Sequence, residues 1–559
     1  MTTPELGASS LRPYQRAAID AVLLARRSGV KRMVVCLPTG AGKTVIFSHL
    51  ARLARRQVLV LAHREELLAQ AKEKIERATM DRTIVAIEQG GQRAPIEAKV
   101  LVCSIRSLHE ERLQKLMAGR DIGLVIYDEC HHAAAADNQR VLRQLGAFAP
   151  DWTGTLLGFT ATTARGDGQG LDSVFEQIVY TRTLPEMIED GYLSPLRGFR
   201  IATAADLSGL EAAGLDFREE ELAEAVDIVE RNALVARSIQ ELGRDRRTIT
   251  FCVTVSHAKN LARALNLLGI PAGVVHGAMS SEARARALTD FREGRTQVLT
   301  NVGVLTEGFD DPGVSCIAMA RPTRSEGLYA QCVGRGTRLS SGKKDCLILD
   351  FVDLSTLNLC TLPSLFGMPY DVDLAGDDAA EAGRAFQQLT LDYPGFQVEA
   401  GAITLTEIQD RASRFDPLTL VVDAEVRAIS GNAWESLGRP GLSLHFETKP
   451  GRLAEVLVLA KAARGKRWEV SLDGQVVERF STIEEAVQAV DYEVARRGRA
   501  AQGSALGAAP WRRAPAPEDL TRELCAGGPA RALALGEAMR LAVWQRIVGA
   551  PRAAKRDAR

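Results

Sequence analysis

The feature that most constrains the fold is a regular alternation of short apolar runs with helical segments. Between Leu11 and Tyr192 the apolar runs are MVVCLP, VLVLAH, KVLVCS, GLVIYDE and LLGFTAT. Strands that alternate with helices in this way form a parallel sheet with both faces covered. We therefore expect an α/β fold built on a parallel sheet.

A second series of the same kind follows along the chain. Its apolar runs are RTITFCV, AGVVHG, QVLTNV, SCIAMA and CLILDFVD. Residues 200 to 230, between the two series, are rich in acids and carry no strand signal, which suits a connecting helix. The sequence thus predicts two tandem parallel-sheet domains joined by a linker.

After Asp353 the alternation ends and a different pattern begins. Residues 434 to 497 alternate apolar and polar side chains, and Asp473-Gly474 is a strong hairpin signal. Ser481 or Thr482 with Glu485 then resembles a helix capping box. We predict a C-terminal α+β accessory region.

The boundaries predicted for the whole chain are a first domain at 1–198, a linker helix at 199–230, a second domain at 231–365, an acidic connector at 366–430, a small antiparallel sheet with a helix at 431–500, and a helical basic tail at 501–559.

Composition limits the class of protein. With 559 residues, 46% hydrophobic and 25% charged, the chain is expected to form several globular domains. Its formal net charge is zero, so a nucleic-acid partner would need a local groove. There is no leader-like start, no apolar run of about 18 residues and no CxxC pair. We expect a cytoplasmic protein with free thiols and no membrane partner.

The segment LPTGAGKT, residues 37 to 44, lies between an apolar strand and a helix, as a phosphate-binding loop requires. Gly40 and Gly42 would let backbone amides face the phosphates. Lys43 would reach the β and γ oxygens, and Thr44 would bind Mg²⁺. Leu37 replaces the first glycine of the strict pattern, and a chance glycine-rich turn is the alternative.

The segment VIYDECHH, residues 125 to 132, places two acids at the end of a buried strand. Asp128 would hold Mg²⁺, and Glu129 would orient and deprotonate the attacking water. A surface acid pair that caps the next helix is the alternative. The adjacent Cys-His-His could suggest zinc, but neighbours on an irregular segment rarely converge on one ion without ligands from elsewhere. We therefore expect no zinc site.

The segment QCVGRGTR, residues 331 to 338, carries Arg335 and Arg338 at a helical spacing that points both guanidinium groups from one face. Brought to a γ-phosphate, such a pair would stabilise the transferring phosphoryl group. Taken alone, the pair could also be a solvated basic face.

Together and in this order, the motifs resemble the second superfamily of helicases, of the DEAD/DEAH type with a DECH box, over about residues 11 to 353. The resemblance implies two RecA-like domains with ATP and Mg²⁺ between them and a nucleic-acid partner. The segment GFTATTARGDGQGLDSVFEQIVYTRTLPEMIEDGYLSP resembles the XPB/RadD-like group common in bacteria and phages, which favours DNA over RNA. Thr163 stands where this family often has proline.

The resemblance also implies roles for individual residues. LRPYQ resembles an adenine-reading motif, TAT a coupling motif and TEGFD a nucleotide-contacting motif. The implied ATP-binding residues are Arg12, Gln15, Pro38, Thr39, Gly40, Ala41, Gly42, Lys43, Thr44, Gly308 and Asp310. The implied catalytic residues are Lys43, Asp128, Glu129, Gln331, Arg335 and Arg338, with Thr44 and Asp128 on Mg²⁺. The residues implied to couple the ATP state to domain closure are His131, Thr160 and Thr162.

Further segments resemble the strand-contacting motifs of the family: AHREEL, SIRSL, FCVTVSHA, VHG and LTN. Their polar side chains can hydrogen-bond phosphate oxygens without reading bases, as a motor requires. Each is also an ordinary type of loop residue. The nucleic-acid contacts implied are His63, Arg64, Ser104, Ser107, Thr254, His276, Thr300 and Asn301.

The accessory region holds four of the five tryptophans, at 434, 468, 511 and 544. Tryptophan beside arginine can stack bases, but filling of a thin core is favoured for Trp434 and Trp468. A modest basic excess beyond residue 451 permits a DNA-guiding tail, and protein partners could bind this region as well. FETK, residues 446 to 449, faintly resembles half of a nuclease site, but no upstream acid completes it, and we expect no embedded nuclease.

The function expected from the sequence is ATP-driven movement along nucleic acid or its unwinding, with DNA as the substrate. One alternative is the motor subunit of a restriction or defence complex that translocates duplex DNA. Another is an ATP-gated clamp with little turnover, against which the intact Glu129 and arginine pair argue.

Overall fold

The structure is a computed structural model of the chain. It divides the chain into two units, Met1–Gly383 and Arg384–Arg559. The residues it describes are 11–62, 68, 71–76, 85–89, 92–161, 171–210, 212–213, 216–355, 359–393, 396, 398, 401, 403–438, 441–449, 451–460, 468–525 and 532–548.

The first unit contains two parallel sheets in tandem, and helices accompany the strands of both. Among the described residues the first sheet has seven strands, in the order β3-β4-β2-β5-β6-β1-β7. The strands are β1 (Arg32–Cys36), β2 (Gln57–Ala62), β3 (Val85–Glu88), β4 (Val100–Ser104), β5 (Ile122–Asp128), β6 (Thr155–Thr160) and β7 (Gln177–Thr181). The helices of this part are α1 (Pro13–Arg27), α2 (Lys43–Leu53), α3 (Glu110–Met117), α4 (Ala136–Gln144) and α5 (Leu184–Glu189).

The strand order decides where the predicted motifs meet. Strand β6 pairs in parallel with both β1 and β5, so the carboxyl ends of all three lie at one edge of the sheet. The phosphate loop follows β1, the two acids end β5, and Thr160 ends β6. Ligands of open α/β sheets bind outside such carboxyl ends, where the strand order reverses.

The second sheet is also parallel throughout, with the order β12-β13-β11-β14-β15-β8 among the described residues. Its strands are β8 (Leu196–Asp206), β11 (Thr248–Phe251), β12 (Ala272–Val275), β13 (Val298–Asn301), β14 (Cys316–Met319) and β15 (Cys346–Leu354), and β9 (Ala212–Ala213) and β10 (Asp216–Phe217) form a separate short hairpin. The helices are α6 (Glu219–Val226), α7 (Val229–Ser238), α8 (Val255–Leu267), α9 (Ser281–Arg292), α10 (Glu326–Val333) and α11 (Ala379–Asp392). Each of the two sheets forms a RecA-like domain.

Strand β8 corrects the predicted linker. The sequence predicts a first domain that ends at residue 198 and a linker helix at 199–230. In the structure, residues 196 to 206 instead form the outer strand of the second sheet. As an edge strand, β8 buries only part of its side chains and includes Arg197 and Arg200, so it has no continuous apolar run. Helical structure begins only at Glu219.

A buried ion pair joins α7 to β15. Arg231 donates from Nε and Nη2 to the two carboxylate oxygens of Asp353, at 2.7 and 2.8 Å, and from Nη1 to the carbonyl of Ala320 at 2.9 Å. The Thr203 hydroxyl, on β8, donates to the same carboxylate. Both charged side chains are at most 1% exposed, so the charge of each is compensated by the other and not by water.

The second unit is built on an antiparallel sheet. Its strands, in the order β16-β17-β18-β19-β20, are β16 (Glu435–Ser436), β17 (Gly441–Lys449), β18 (Arg452–Ala460), β19 (Trp468–Leu472) and β20 (Gln475–Phe480). Its helices are α12 (Leu405–Ser413), α13 (Ala424–Ile429), α14 (Ile483–Arg496), α15 (Arg499–Ala505), α16 (Pro510–Arg513), α17 (Glu518–Leu524) and α18 (Leu535–Val548). The segment predicted as an acidic connector, 366–430, therefore includes α11, α12 and α13.

Several local predictions for this unit are confirmed. Asp473 and Gly474 both have positive φ angles and join β19 to β20. Thr482 caps α14 by accepting from the Glu485 amide, and the Glu485 side chain completes the capping box. Trp434 packs in the core beneath α14, and Trp468 is partly buried and packs against the same cluster. Both therefore serve as core residues.

The cysteines and the helices agree with two further expectations. All nine cysteines fall within the described residues, all are free, and seven of them are buried. Among the helices described here, none combines the length and the apolar character needed to cross a bilayer.

We predict that Arg231→Ala lowers the free energy of unfolding of the first unit by about 3–5 kcal/mol, because it leaves the Asp353 carboxylate buried without its cation. Chemical denaturation of the full chain measures this change. Lys115→Ala, which removes an exposed ion pair with Glu111, is the control and should change little. Equal stability of the two variants would show that the buried pair is dispensable.

Candidate active site between the two parallel-sheet domains

The phosphate loop has the backbone conformation that its sequence predicts. Gly40 and Gly42 have φ angles of 87° and 76°, in the left-handed region that favours glycine. Gly42 directly precedes α2, and no side chain caps the first turn of that helix. The amides of this turn therefore face the loop, which is the arrangement that binds phosphate.

Helix α1 holds its predicted ligands beside this loop. The Tyr14 hydroxyl donates to the carbonyl of Ala41 at 2.6 Å. The Gln15 side chain accepts from the Arg12 amide at 3.0 Å, and its Nε2 lies only 2.9 Å from where a Cβ on Gly42 would stand. Arg12 donates to the carbonyl of Tyr192 at 3.3 Å. Arg12 and Gln15 thus lie next to the loop, as an adenine contact requires.

The two predicted acids lie opposite the loop at the end of β5. Lys43 Nζ is 3.2 Å from Glu129 Oε1, and the Glu129 amide donates to Asp128 Oδ1 at 3.1 Å. Glu129 has a φ of 52°, a conformation that is costly for any residue except glycine and recurs at functional sites. In this backbone conformation, the Glu129 side chain contacts Lys43.

The pKa values of the two carboxylates are shifted in opposite directions. Burial, with the negative charge of Glu129, raises the pKa of Asp128 to about 6. Burial also acts to raise the pKa of Glu129, but Lys43, His131 and Arg335 together outweigh it and hold that pKa below its usual range. A cation bound at Asp128 would favour its charged form.

The predicted arginines of the second domain enter the same cleft. Arg335 is buried and donates to the carbonyl of Phe309 at 2.9 Å; burial lowers its pKa to about 10, so it stays charged at neutral pH. Arg338 Nε is 2.7 Å from Asp310 Oδ1, and Lys74 Nζ is 3.0 Å from Asp310 Oδ2. Asp310 therefore positions a cation from each domain.

The segment that carries these arginines packs against the phosphate loop. The Thr337 hydroxyl donates to the carbonyl of Thr39 at 3.2 Å, and the Ser194 amide donates to the carbonyl of Thr337 at 2.6 Å. A Cβ on Gly334 would stand 2.4 Å from Thr39 Cβ, so only glycine fits there. The cleft is lined by Thr39, Gly40, Gly42, Lys43, Thr44, Lys74, Asp128, Glu129, Gly308, Asp310, Arg335 and Arg338.

The polar atoms of this cleft fit a nucleotide with Mg²⁺. Buried atoms that lack a hydrogen-bond partner among the described residues include Arg335 Nε, Arg338 Nη1, Thr39 Oγ1 and Glu129 Oε2. Free guanidinium donors suit phosphate oxygens. The Asp128 carboxylate and the Thr44 hydroxyl line the same cleft and supply the oxygen ligands that Mg²⁺ prefers.

His131 links the acids to the second domain. Its Nδ1 is 3.2 Å from the Thr160 hydroxyl and 3.5 Å from Glu129 Oε2, and its Nε2 is 3.5 Å from Gln331 Nε2. Burial lowers the pKa of His131 to about 4, so the ring is neutral at pH 7. The structure thus brings His131, Thr160 and Gln331 together, whereas Thr162 lies outside the described residues.

Two predicted nucleic-acid contacts are contradicted. Thr300 is fully buried and donates to the carbonyls of Ala258 and Gly273, at 3.0 and 3.1 Å. Asn301 is equally buried; it donates to the carbonyl of Thr250 at 3.1 Å and accepts from the Leu305 amide at 3.2 Å. Both side chains hold the second sheet together and cannot reach a strand at the surface.

The other predicted contacts have mixed surroundings. Ser104 is buried, and its carbonyl accepts from the Ser107 hydroxyl at 2.8 Å. Thr254 caps α8 by accepting from the His257 amide at 3.3 Å. His276 is half-buried after β12. His63 and Arg64 lie outside the described residues. Contacts of these residues with nucleic acid stay predictions.

Several residues of the cleft were not singled out from the sequence. Thr337 lies inside the QCVGRGTR motif, so the motif could have identified it as a residue of the site. Tyr14 likewise lies inside LRPYQ. Tyr192 lies inside the segment that resembles the XPB/RadD-like group, whereas Lys74 belongs to no motif and only the fold brings it to the site. A sequence of helical residues gives no signal that one lysine pairs with an aspartate 236 positions away.

Two family models match the chain in the order of the two domains. The model described as "Type III restriction enzyme, res subunit" matches residues 8–165, and "Helicase conserved C-terminal domain" matches residues 230–340. IRC3 of Saccharomyces cerevisiae, assigned as an ATP-dependent helicase, is 34% identical over 383 residues, or 66% of this chain and 55% of IRC3. Both parallel-sheet domains therefore match helicase families, in agreement with the resemblance to superfamily 2.

Two further relatives show the same likeness. The irc3 protein of Schizosaccharomyces pombe, assigned as a mitochondrial ATP-dependent helicase, is 36% identical over 372 residues, covering 65% of this chain and 61% of irc3. The EcoAI endonuclease subunit, a type I restriction enzyme of Escherichia coli, is 27% identical over 380 residues, covering 61% of this chain and 46% of the subunit. This helicase-family chain thus matches less than two thirds of the length of these relatives.

We predict that Asp128→Asn raises the melting temperature of the nucleotide-free protein at pH 7.5 in EDTA. The ionised Asp128 is buried beside Glu129, and the amide removes that repulsion. Because the folded-state pKa of about 6 lies above the ordinary value, the Asp128 carboxyl destabilises the fold above pH 6 and stops doing so as the pH falls.

The gain should therefore shrink from pH 7.5 to pH 5, and melting curves across this range measure it. Asp151→Asn, at an exposed position, is the control and should show no such trend. A gain that stays constant with pH would contradict the predicted titration.

Proposed function

We propose that this protein is an ATP-dependent helicase or translocase that acts on DNA. The observation that carries the proposal is the cleft in which the phosphate loop and two carboxylates of the first domain meet two arginines of the second, the buried Arg335 and the half-buried Arg338. A site that needs both domains for hydrolysis makes turnover depend on their relative position, as a motor requires.

Each residue of the cleft has a chemical task in this proposal. Lys43 and the first-turn amides of α2 bind phosphate oxygens, and Arg12 with Gln15 holds the base. Asp128 and Thr44 hold Mg²⁺, which neutralises charge on the phosphates when bound. Arg335 and Arg338 stabilise the charge that develops on the transferring phosphoryl group.

Glu129 is the proposed general base. Its contact with Lys43 at 3.2 Å keeps the carboxylate charged, and a phosphate that competes for Lys43 would release Glu129 to accept a proton from water. The Oε2 of Glu129 supports this assignment, because His131 approaches it only to 3.5 Å and no described protein group donates a hydrogen bond to it.

We further propose that His131 couples the ATP state to domain closure. Its ring contacts Glu129 and Thr160 of the first domain and Gln331 of the second, so any change at Glu129 alters a contact across the cleft. Thr337 adds a second link, because it bonds the phosphate loop directly. Closure and catalytic alignment then depend on the same contacts.

The DNA substrate rests on the resemblance to the XPB/RadD-like group. The zero net charge supports contact with the phosphate backbone through a local surface rather than a broad basic face. Ser107, Thr254 and His276 are the proposed contacts that the structure leaves open. A cytoplasmic location stays a prediction, and the relative from fission yeast is named as mitochondrial.

A second candidate is the motor of a restriction complex that translocates duplex DNA without separating strands. The first family model and the E. coli relative both carry restriction-enzyme names, which favours this candidate specifically. Strand-displacement and triplex-displacement assays separate the two: unwinding displaces one strand of the duplex, whereas translocation removes only a third strand.

We predict that duplex or single-stranded DNA stimulates steady-state ATP hydrolysis by the purified chain. Lys43→Ala should reduce the stimulated rate by about 100-fold or more, because it removes a positioned cation from the transition state. Stimulation by single-stranded RNA alone would overturn the DNA assignment. Absence of hydrolysis with every nucleic acid would overturn the motor and favour an ATP-gated clamp.

We also predict that Glu129→Gln binds ATP but hydrolyses it about 100-fold more slowly or worse, because the amide cannot accept the proton of water. Fluorescent-nucleotide binding and single-turnover hydrolysis measure the two steps separately. Glu97→Gln, at an exposed turn, is the matched control and should behave as wild type. Normal turnover in Glu129→Gln would remove Glu129 from the mechanism.

A further inference from the structure

Two adjacent histidines follow the catalytic acids. They lie in the 3₁₀ turn Cys130–His132, and their ring centroids are 4.1 Å apart. His131 is buried, whereas the His132 side chain is 30% exposed. The sequence alone predicts no zinc site here, because two neighbouring histidines on an irregular segment need further metal ligands from elsewhere in the chain.

The structure supplies such a ligand from the second domain. Glu307 lies 175 positions further along the chain, and its Oε1 is 3.4 Å from His132 Nε2. One ring nitrogen of His131, one of His132 and a carboxylate oxygen of Glu307 all lie within 4.8 Å of one another. The Glu307 side chain is only 7% exposed, so the ligand atoms are largely shielded from water.

These separations suit a zinc-class ion. With bonds of about 2.0–2.1 Å in a tetrahedral site, ligand atoms stand about 3.3 Å apart. The contact between His132 and Glu307 already has this length, and the widest pair would have to close by roughly 1.5 Å. The His132 side chain, which is 30% exposed, has more room to change rotamer than the buried His131 and Glu307 side chains.

The chemistry of the ligand set differs from that of the proposed Mg²⁺ site. Imidazole nitrogens with one carboxylate select zinc, nickel, cobalt or iron, whereas Mg²⁺ prefers oxygen ligands such as Asp128 and Thr44. Two histidines with one glutamate also leave a fourth position for water in a tetrahedral ion.

We propose that His131, His132 and Glu307 form a binding site for a divalent transition-metal ion that bridges the two domains. The ion ties the segment after β5 to the segment after β13, and so fixes their separation. It competes with the contact between His131 and Gln331, which uses the same ring. The inhibitory effect of the ion, unlike its binding, rests on the proposed function.

The ion acts as a latch on the cleft. Product release requires the domains to move apart, and a bridge with ligands on both sides opposes that movement. Zinc therefore lowers the turnover number without preventing ATP from binding. A chelator restores turnover by removing the bridge.

Metal binding is tested first, on the full chain without nucleotide. Calorimetry with Zn²⁺ should detect a site that is weakened at least about tenfold in His132→Ala and in Glu307→Gln. Absorption spectra with Co²⁺ identify the ligands, because cysteine thiolates give an intense charge-transfer band that imidazole and carboxylate do not. A thiolate spectrum, or equal affinity in wild type and both variants, overturns the proposal.

Inhibition is tested second, by titrating Zn²⁺ into the ATPase assay at saturating Mg²⁺. Each variant is compared with its own zinc-free rate, and a melting curve verifies that it is folded. Zinc should lower the ATPase rate of wild type at least about tenfold, whereas His132→Ala should keep most of its own zinc-free rate. Equal inhibition of both would place zinc elsewhere, for example at Asp128, and overturn the latch. If the chain hydrolyses no ATP at all, the calorimetric result alone decides the metal site.

Discussion

The candidate site depends on the close approach of two backbone segments from different domains. Thr39 of the phosphate loop packs directly on Gly334, and the Thr337 hydroxyl bonds the Thr39 carbonyl. This approach brings Arg335 and Arg338 within reach of the loop that binds phosphate. Because a side chain at position 334 would collide with Thr39, the identity of one glycine decides whether the two halves of the site can meet.

The same approach creates the electrostatic balance of the cleft. The first domain contributes two adjacent acids and two lysines, and the second contributes two arginines with an aspartate that binds one of the lysines and one of the arginines. Burial and the repulsion from Glu129 raise the pKa of Asp128, while Lys43 helps to keep Glu129 charged. A charged phosphate with its cation would satisfy groups that the protein leaves partly uncompensated.

The sequence was sufficient for elements whose signal is local. The parallel sheets, the phosphate loop, the hairpin at Asp473 and the cap at Thr482 each depend on neighbouring residues, and each was predicted. Strand β8 was missed because an edge strand buries too little to show an apolar run. Thr300 and Asn301 were misassigned because a polar residue type does not reveal whether its partner is a carbonyl in the core or a phosphate outside. Lys74 and Glu307 required the tertiary fold, since their partners are far along the chain.

The position of β8 has a mechanical consequence. Because this strand already belongs to the second sheet, the chain crosses between the sheets just before Leu196, where Ser194 bonds Thr337 and Leu193 lies against Gly40. The covalent crossing between the two domains thus lies beside the cleft, at the point about which a rotation of one domain against the other would occur. A rotation about it opens the nucleotide end by a small distance and displaces the far ends of the domains by a larger one. In the proposed motor, this geometry would convert a short movement at the nucleotide into a longer displacement of the domain ends.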